Sequence, residues 1–183
     1  MTTLSDLAPL GPFALHDALL AGHPFDAAAL DGREYHGVAL GNPAFVEALT
    51  WKTFKKVFLR EPAGVLRGWN VAVEQRGVDG PYVDKLKGGK RVTYGHYEVR
   101  PASEYGSGRY YAALQMIDYG RAEVGALNLQ RLIRDPLAAV NPGSADLLLG
   151  YSYLDLGFCV PTPTFFALVR GEALTYVVPR PGT

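Results

Sequence analysis

The sequence predicts a mainly β protein: an antiparallel β-barrel of seven to eight strands, with short N-terminal helices and one or two short inserted helices. Three observations predict it. Between Arg109 and Arg170 the chain reads RYYAALQMIDYG, RLIRDPLAAVNPG, DLLLGYSYLDLG and PTPTFFALVR. These pieces are rich in Tyr, Phe, Leu and Val and are separated by Gly or Pro, the pattern of short strands in a sheet that closes or packs on another. LRGWNVAVEQR alternates, with Trp69, Val71 and Val73 on one face and Asn70, Ala72 and Glu74 on the other. Tyr accounts for 11 of the 183 residues; it suits half-buried sheet faces and ligand pockets, pairing an apolar ring with one polar handle.

Taken in order, residues 1–30 form an N-terminal helical extension. Ser5 or Asp6 caps a first turn, and Phe13 to Leu20 forms a short helix ended by Gly22 and Pro24. Asp26 caps a second short piece through Leu30. Neither is stable alone, so both must pack on the sheet, at one end or over its outer wall. The β-barrel domain spans 31–176. Its strands are expected at 31–40, 53–60, 66–76, 90–100, 109–120, 146–156 and 162–170. Asn42-Pro43 opens a helix over 43–51, and Ala126 to Arg134 carries helical spacing that Pro136 stops. The Gly-rich stretch 77–90 is a long loop. A tail over 177–183, with two prolines, is expected to trail away.

Composition limits the function. A chain of this length buries roughly 70% of its unfolded surface and needs no disulfide or metal staple. There are 18 basic and 18 acidic residues. That balance argues against nucleic acid as a partner, since phosphate contacts need excess Lys and Arg. No apolar run reaches the roughly 18 residues of a membrane span, and the first residues lack the pattern of a secretory signal. Membrane is therefore not an expected partner. With Cys159 as its one cysteine, the chain is expected in the cytoplasm.

The sharp catalytic motifs are missing. There is no GxxxxGK[ST], no GxGxxG opening a helix, no HExxH, CxxC or GxSxG. No metal and no cofactor are therefore expected. Cys159 beside Val160 and Pro161 reads as a small apolar residue, not a nucleophile. The histidines carry the best remaining chemistry. If strands 31–40 and 90–100 turn the right faces inward, His36, Tyr94, His96 and Glu98 form an interior polar cluster. His96 and Glu98 are then the candidate general acid–base pair. The opposite face of 90–100, with Thr93, Gly95, Tyr97 and Val99, is an equally good core face, and alternation does not decide. The candidate ligand-binding residues are His36, Trp69, Tyr94, Tyr111, Gln115, Tyr151 and Tyr153. Asp118 and the Arg134-Asp135 pair read as turn and clamp residues, and Lys55, Lys56 and Arg60 as a solvated basic spot.

Gly32-Arg33-Glu34-Tyr35 stands where a Gly-x-Trp would open a first strand after a short helix. Gly68-Trp69 follows on a later strand, and Arg170 ends the last one. In outline, over residues 26–170, the chain resembles the calycin superfamily of lipocalin-like barrels, with Tyr in place of Trp. The resemblance implies an interior cavity for a small apolar molecule. Three functions follow as expectations: binding of a small hydrophobic molecule in the barrel, a cofactor-free isomerase or cyclase acting on such a molecule, or a structural protein with a filled core.

Overall fold

The computed structural model describes residues 1–41, 52–122 and 128–181. Two helices, α1 (Leu4–Leu7) and α2 (Pro12–Leu20), precede ten strands: β1 (Arg33–Leu40), β2 (Thr53–Arg60), β3 (Leu66–Ala72), β4 (Leu86–Lys87), β5 (Lys90–Arg91), β6 (Thr93–Pro101), β7 (Gln115–Asp118), β8 (Ile133–Ala139), β9 (Leu147–Asp155) and β10 (Cys159–Ala173). Eight of them close an antiparallel barrel in the order β1-β10-β9-β8-β7-β6-β3-β2. Each is hydrogen-bonded to its sequence neighbour, with β4 and β5 set aside as a small ribbon in the β3–β6 connection. The seven-to-eight-strand antiparallel barrel is therefore the observed architecture. The helix expected over 43–51 lies outside the described residues.

Alternation sorts the side chains into an interior and two outer layers. Tyr35, Phe58, Leu66, Tyr97, Ile117, Leu137, Leu148 and Phe166 come one from each barrel strand and form a single buried cluster. Only the interior is reachable from all eight strands, so this cluster is the barrel core. Outside it, α2 lays Leu15 and Leu19 over β8, β9 and β10, together with Tyr111, Leu114, Tyr151, Tyr153 and Phe165. Pro12 sits in the first turn of α2, where its missing N–H costs nothing. The N-terminal segment is thus the outer cover of β9 and β10, whose two faces are both apolar.

Three sequence expectations change. RYYAALQMIDYG is not one strand: Gly106–Tyr111 is 3-10 helical, Tyr110 is exposed, and only Gln115–Asp118 pairs. Its strand-forming residues serve as an outer plug, so burial rather than pairing explains their apolarity. Among its described residues, the helix expected over 126–134 is a 3-10 turn at Leu129–Leu132, capped by Asn128, and β8 begins at Ile133. Pro136 does not stop a helix there. It lies in β8, whose pairing with β9 skips from Arg134↔Tyr153 to Leu137↔Gly150, so its missing N–H breaks no pair on that side. The C-terminal tail does not trail away. Leu174, Tyr176 and Val178 cover Val57, Trp69 and Val71 on the outer face of β2 and β3. The Val178 carbonyl accepts from Arg67 at 2.8 Å, and Arg180 pairs with Glu61 at 2.6 Å and Glu98 at 3.3 Å.

Inward-facing glycines make room for rings. A Cβ on Gly37 would lie 2.3 Å from the Phe54 ring, and one on Gly150 would lie 2.2 Å from Phe166. At Gly68 it would meet the Val57 carbonyl oxygen at 2.1 Å and the Tyr97 ring at 2.3 Å. Each ring lies over a glycine of the next strand, the pairing that lets a barrel curve without a void. Because one of the obstructions at Gly68 is backbone, Gly68→Ala is expected to cost about 1–3 kcal/mol or more. A urea midpoint equal to wild type would refute this close packing.

Candidate functional site

The interior is not uniformly apolar. Along β2, Phe54, Lys56 and Phe58 turn inward while Thr53, Lys55 and Val57 turn outward. Lys56 is therefore carried into the barrel, where it is 2% exposed. Its Nζ donates to Asn70 Oδ1 at 3.0 Å and to the Tyr119 hydroxyl at 2.6 Å. Asp135 Oδ2 stands 3.6 Å away and accepts from the Tyr119 hydroxyl at 3.0 Å. Asn70 Nδ2 in turn donates to the Gly95 carbonyl at 3.2 Å. Gly95 has a left-handed φ of 54° and sits where the β3–β6 register slips, between Gly68↔Tyr97 and Asn70↔Tyr94. Such a bulge re-aims the strand, and it brings the carbonyl to Asn70.

Four rings wall the amine: Tyr97 at 4.8 Å, Phe166 at 5.1 Å, Tyr119 at 5.2 Å and Phe54 at 5.9 Å from Nζ to the ring centre. Burial dominates the electrostatics. It pulls the Lys56 ammonium down from 10.5 to about 8, against the attraction of Asp135. It also raises the Asp135 carboxyl above its usual range, against the attraction of Lys56. Burial holds the Tyr97 and Tyr119 hydroxyls well above the ordinary phenol value. Asp135 Oδ1 makes no well-formed hydrogen bond, and the Ser152 hydroxyl is the polar group beside the carboxylate, pulling its pKa down against burial. The cluster thus offers a donor on Lys56, a relay on Tyr119 and an acceptor on Asp135, all inside aromatic walls. The other half of the interior is occupied by Tyr35, Phe58, Ile117, Leu137, Leu148 and Leu168.

The residues singled out from the sequence are placed differently. His36, His96 and Glu98 do not form an interior cluster, because Tyr35 and Tyr97 take the inward positions beside them. His36 is on the outer face, stacked on Tyr82 at 4.2 Å and 3.2 Å from Glu172. It lines an open groove of about 470 Å³ with Lys55 and Tyr82. His96 lies beside Trp69 on the outer face, its pKa lowered by burial and by Arg67. Glu98 is clamped by Arg100 at 2.8 Å and by Arg180. Trp69 is fully buried beneath the C-terminal segment. Tyr111, Tyr151 and Tyr153 group outside the barrel with His16, which bonds the Tyr111 hydroxyl at 2.9 Å. Gln115 donates to the Phe25 carbonyl. Tyr94 alone of the set reaches the site's edge, directly across from Asn70 in the register.

Asp118 has the turn role its position suggests. It accepts from Gly120 N at 2.7 Å and from the Tyr105 hydroxyl at 2.7 Å, with Arg134 at 3.0 Å. These residues line a second open groove of about 660 Å³ on the outer face. The pair Arg134-Asp135 is split across the wall, Arg134 outward and Asp135 inward. Lys55-Lys56 is split in the same way. Neither lysine is solvated: Lys55 lies 3.0 Å from Glu34 and 2.8 Å from Asp84. Cys159 is half-buried against the outer core. Among the described residues, no three of His, Cys, Asp and Glu gather as a metal site, and no helix is long and apolar enough to cross a membrane.

Lys56, Asn70, Tyr119 and Asp135 were not among the sequence candidates. The available signal was Phe54-x-Lys56-x-Phe58, a lysine on the same strand face as two phenylalanines. No protein-family model matches the chain, and no curated protein matches it.

Proposed function

We propose that the barrel binds a small hydrophobic molecule carrying one polar group, with that group anchored at Lys56 and Asp135. The observation that carries this reading is a buried amine and a buried carboxyl held together inside four aromatic rings. A hydroxyl or carbonyl on the ligand meets the acceptor or the donor, and the rings take the apolar body. Phe54, half-buried and two residues nearer the β1–β2 connection, packs edge-on against Phe166 beside Lys56. A calycin-like relationship fits the same picture, since Tyr35 and Arg170 stand opposite each other on β1 and β10. The lone Cys159 favours a cytoplasmic setting.

A second reading is an isomerase or cyclase acting on such a molecule without a cofactor. It is favoured by one observation: Lys56, Tyr119 and Asp135 form a proton-carrying chain whose amine is pulled down to about 8 by burial.

The binding reading is tested by calorimetric titration with octan-1-ol and with methyl octyl ether, alongside native mass spectrometry of the purified protein. The alcohol is expected to bind about tenfold more tightly, because only it can donate to Asp135. Binding of neither probe, with only the bare chain in the mass spectrum, would favour a barrel with a filled core and no ligand.

A further inference from the structure

We propose that Lys56 is an imine-forming residue, its ε-amine condensing with the carbonyl of a small apolar aldehyde or ketone held in the barrel. The proposal rests on the binding reading above and names the ligand class. Its ground is how the six lysines are held. Lys52, Lys85, Lys87 and Lys90 are exposed to water. Lys55 lies within 3.0 Å of both Glu34 and Asp84, which hold it as an ammonium. Lys56 is arranged differently. Its near partners, Asn70 Oδ1 and the Tyr119 hydroxyl, are neutral, and its one carboxylate stands off at 3.6 Å. Such a shell accepts an uncharged amine when Tyr119 passes the proton on to Asp135, so that amine and carboxyl are neutral together, and burial in aromatic walls favours that form.

The chemistry balances without an added oxidant or reductant. The Nζ lone pair adds to the carbonyl carbon, and the oxygen takes up a proton to give a carbinolamine. The nitrogen then loses its remaining proton and the hydroxyl leaves as water, giving a C=N bond. Tyr119 bridges Nζ at 2.6 Å and Asp135 Oδ2 at 3.0 Å, so it can carry protons between nitrogen, carboxylate and leaving oxygen. The surrounding rings keep bulk water from hydrolysing the product.

The test treats the intact protein at neutral pH with octanal and sodium cyanoborohydride and maps octylated lysines by peptide mass spectrometry. Lys56 is expected to be labelled about tenfold faster than exposed Lys87, since far more of it is unprotonated. Excess octan-1-ol should slow labelling at Lys56 and leave Lys87 unaffected. Labelling of Lys87 with Lys56 untouched overturns the proposal. If octan-1-ol still binds in that case, the imine fails and the binding reading stands; if it does not, both fail. Labelling of Lys56 that octan-1-ol cannot slow also overturns it, because the amine would then be reached without a bound ligand.

Discussion

Asp135→Ala is expected to destabilise the barrel by about 3–5 kcal/mol, because it leaves the Lys56 amine buried without its counter-charge. Both residues are 2% exposed, so water cannot replace the lost carboxylate. Tyr119 also loses the acceptor at 3.0 Å that orients its hydroxyl. The double variant Lys56→Met with Asp135→Leu removes both charges and keeps their volume. It is expected to recover most of the loss, as buried pairs replaced by apolar residues often do. The pair also leaves a signature in pH. Lys56 titrates near 10.5 when unfolded and near 8 when folded, so between those values the unfolded chain binds more protons. Wild-type stability should therefore rise with pH across that window, and Lys56→Met should lack this slope. Asp135 acts at the acid end. Its folded pKa is raised, so its contribution is greatest below the unfolded value of 3.8 and falls as pH rises through the folded one. Urea titrations of wild type and the three variants at several pH values check both parts. A loss below about 1 kcal/mol for Asp135→Ala would mean the pair is not a coupled buried unit.

The strands of this barrel were legible because alternation and turn residues are local. LRGWNVAVEQR, KRVTYGHYEVR and DLLLGYSYLDL can be read as strands without knowing what they touch, although Lys90–Arg91 pairs with β4 and the barrel strand begins at Thr93. Their facing could not be read. Both faces of 90–100 carry a Tyr, and Gly95, which inserts a bulge beside Asn70, is silent in a pattern of period two. An interior His36–His96 cluster required both strands to turn those faces inward, and His36 and His96 instead lie on the outer face. Lys56 was missed for a related reason. A pair of adjacent lysines looks like one solvated spot, yet on a strand the two side chains point in opposite directions. Only the neighbours across the barrel, Asn70, Tyr119 and Asp135, make Lys56 interior chemistry, and they come from three other segments far apart in sequence. RYYAALQ and RLIRDP misled in the other direction: their apolar residues cover the barrel or turn into it, and composition does not separate covering from pairing.

Trp69→Ala is expected to cost about 3–5 kcal/mol, the range for truncating a buried Trp. Trp69 is 0% exposed on the outer face of β3, with the Arg67 guanidinium 4.9 Å from its ring and the Tyr176 ring at 6.3 Å. Its loss removes the floor on which Leu174, Tyr176 and Val178 lie. The segment 174–181 should then be cut by proteases before the barrel unfolds, because what remains is a few polar ties: Arg67 to the Val178 carbonyl, Leu174 N to the Gly32 carbonyl and Arg91 over the Tyr176 ring. Arg180 remains paired with Glu61 and Glu98, but partly exposed pairs contribute only about 0–1 kcal/mol each. Arg180→Ala should accordingly produce a smaller change in stability and less cleavage than Trp69→Ala. The same variant separates wall from site. Trp69 faces away from Lys56, so octan-1-ol binding by the folded fraction of Trp69→Ala should match wild type. Weakened alcohol binding with an unchanged urea midpoint would place Trp69 against the ligand and would reverse the facing of β3. With it would go the inward position of Asn70, the donor–acceptor pair it makes with Lys56, and the case for that end of the barrel as the binding site.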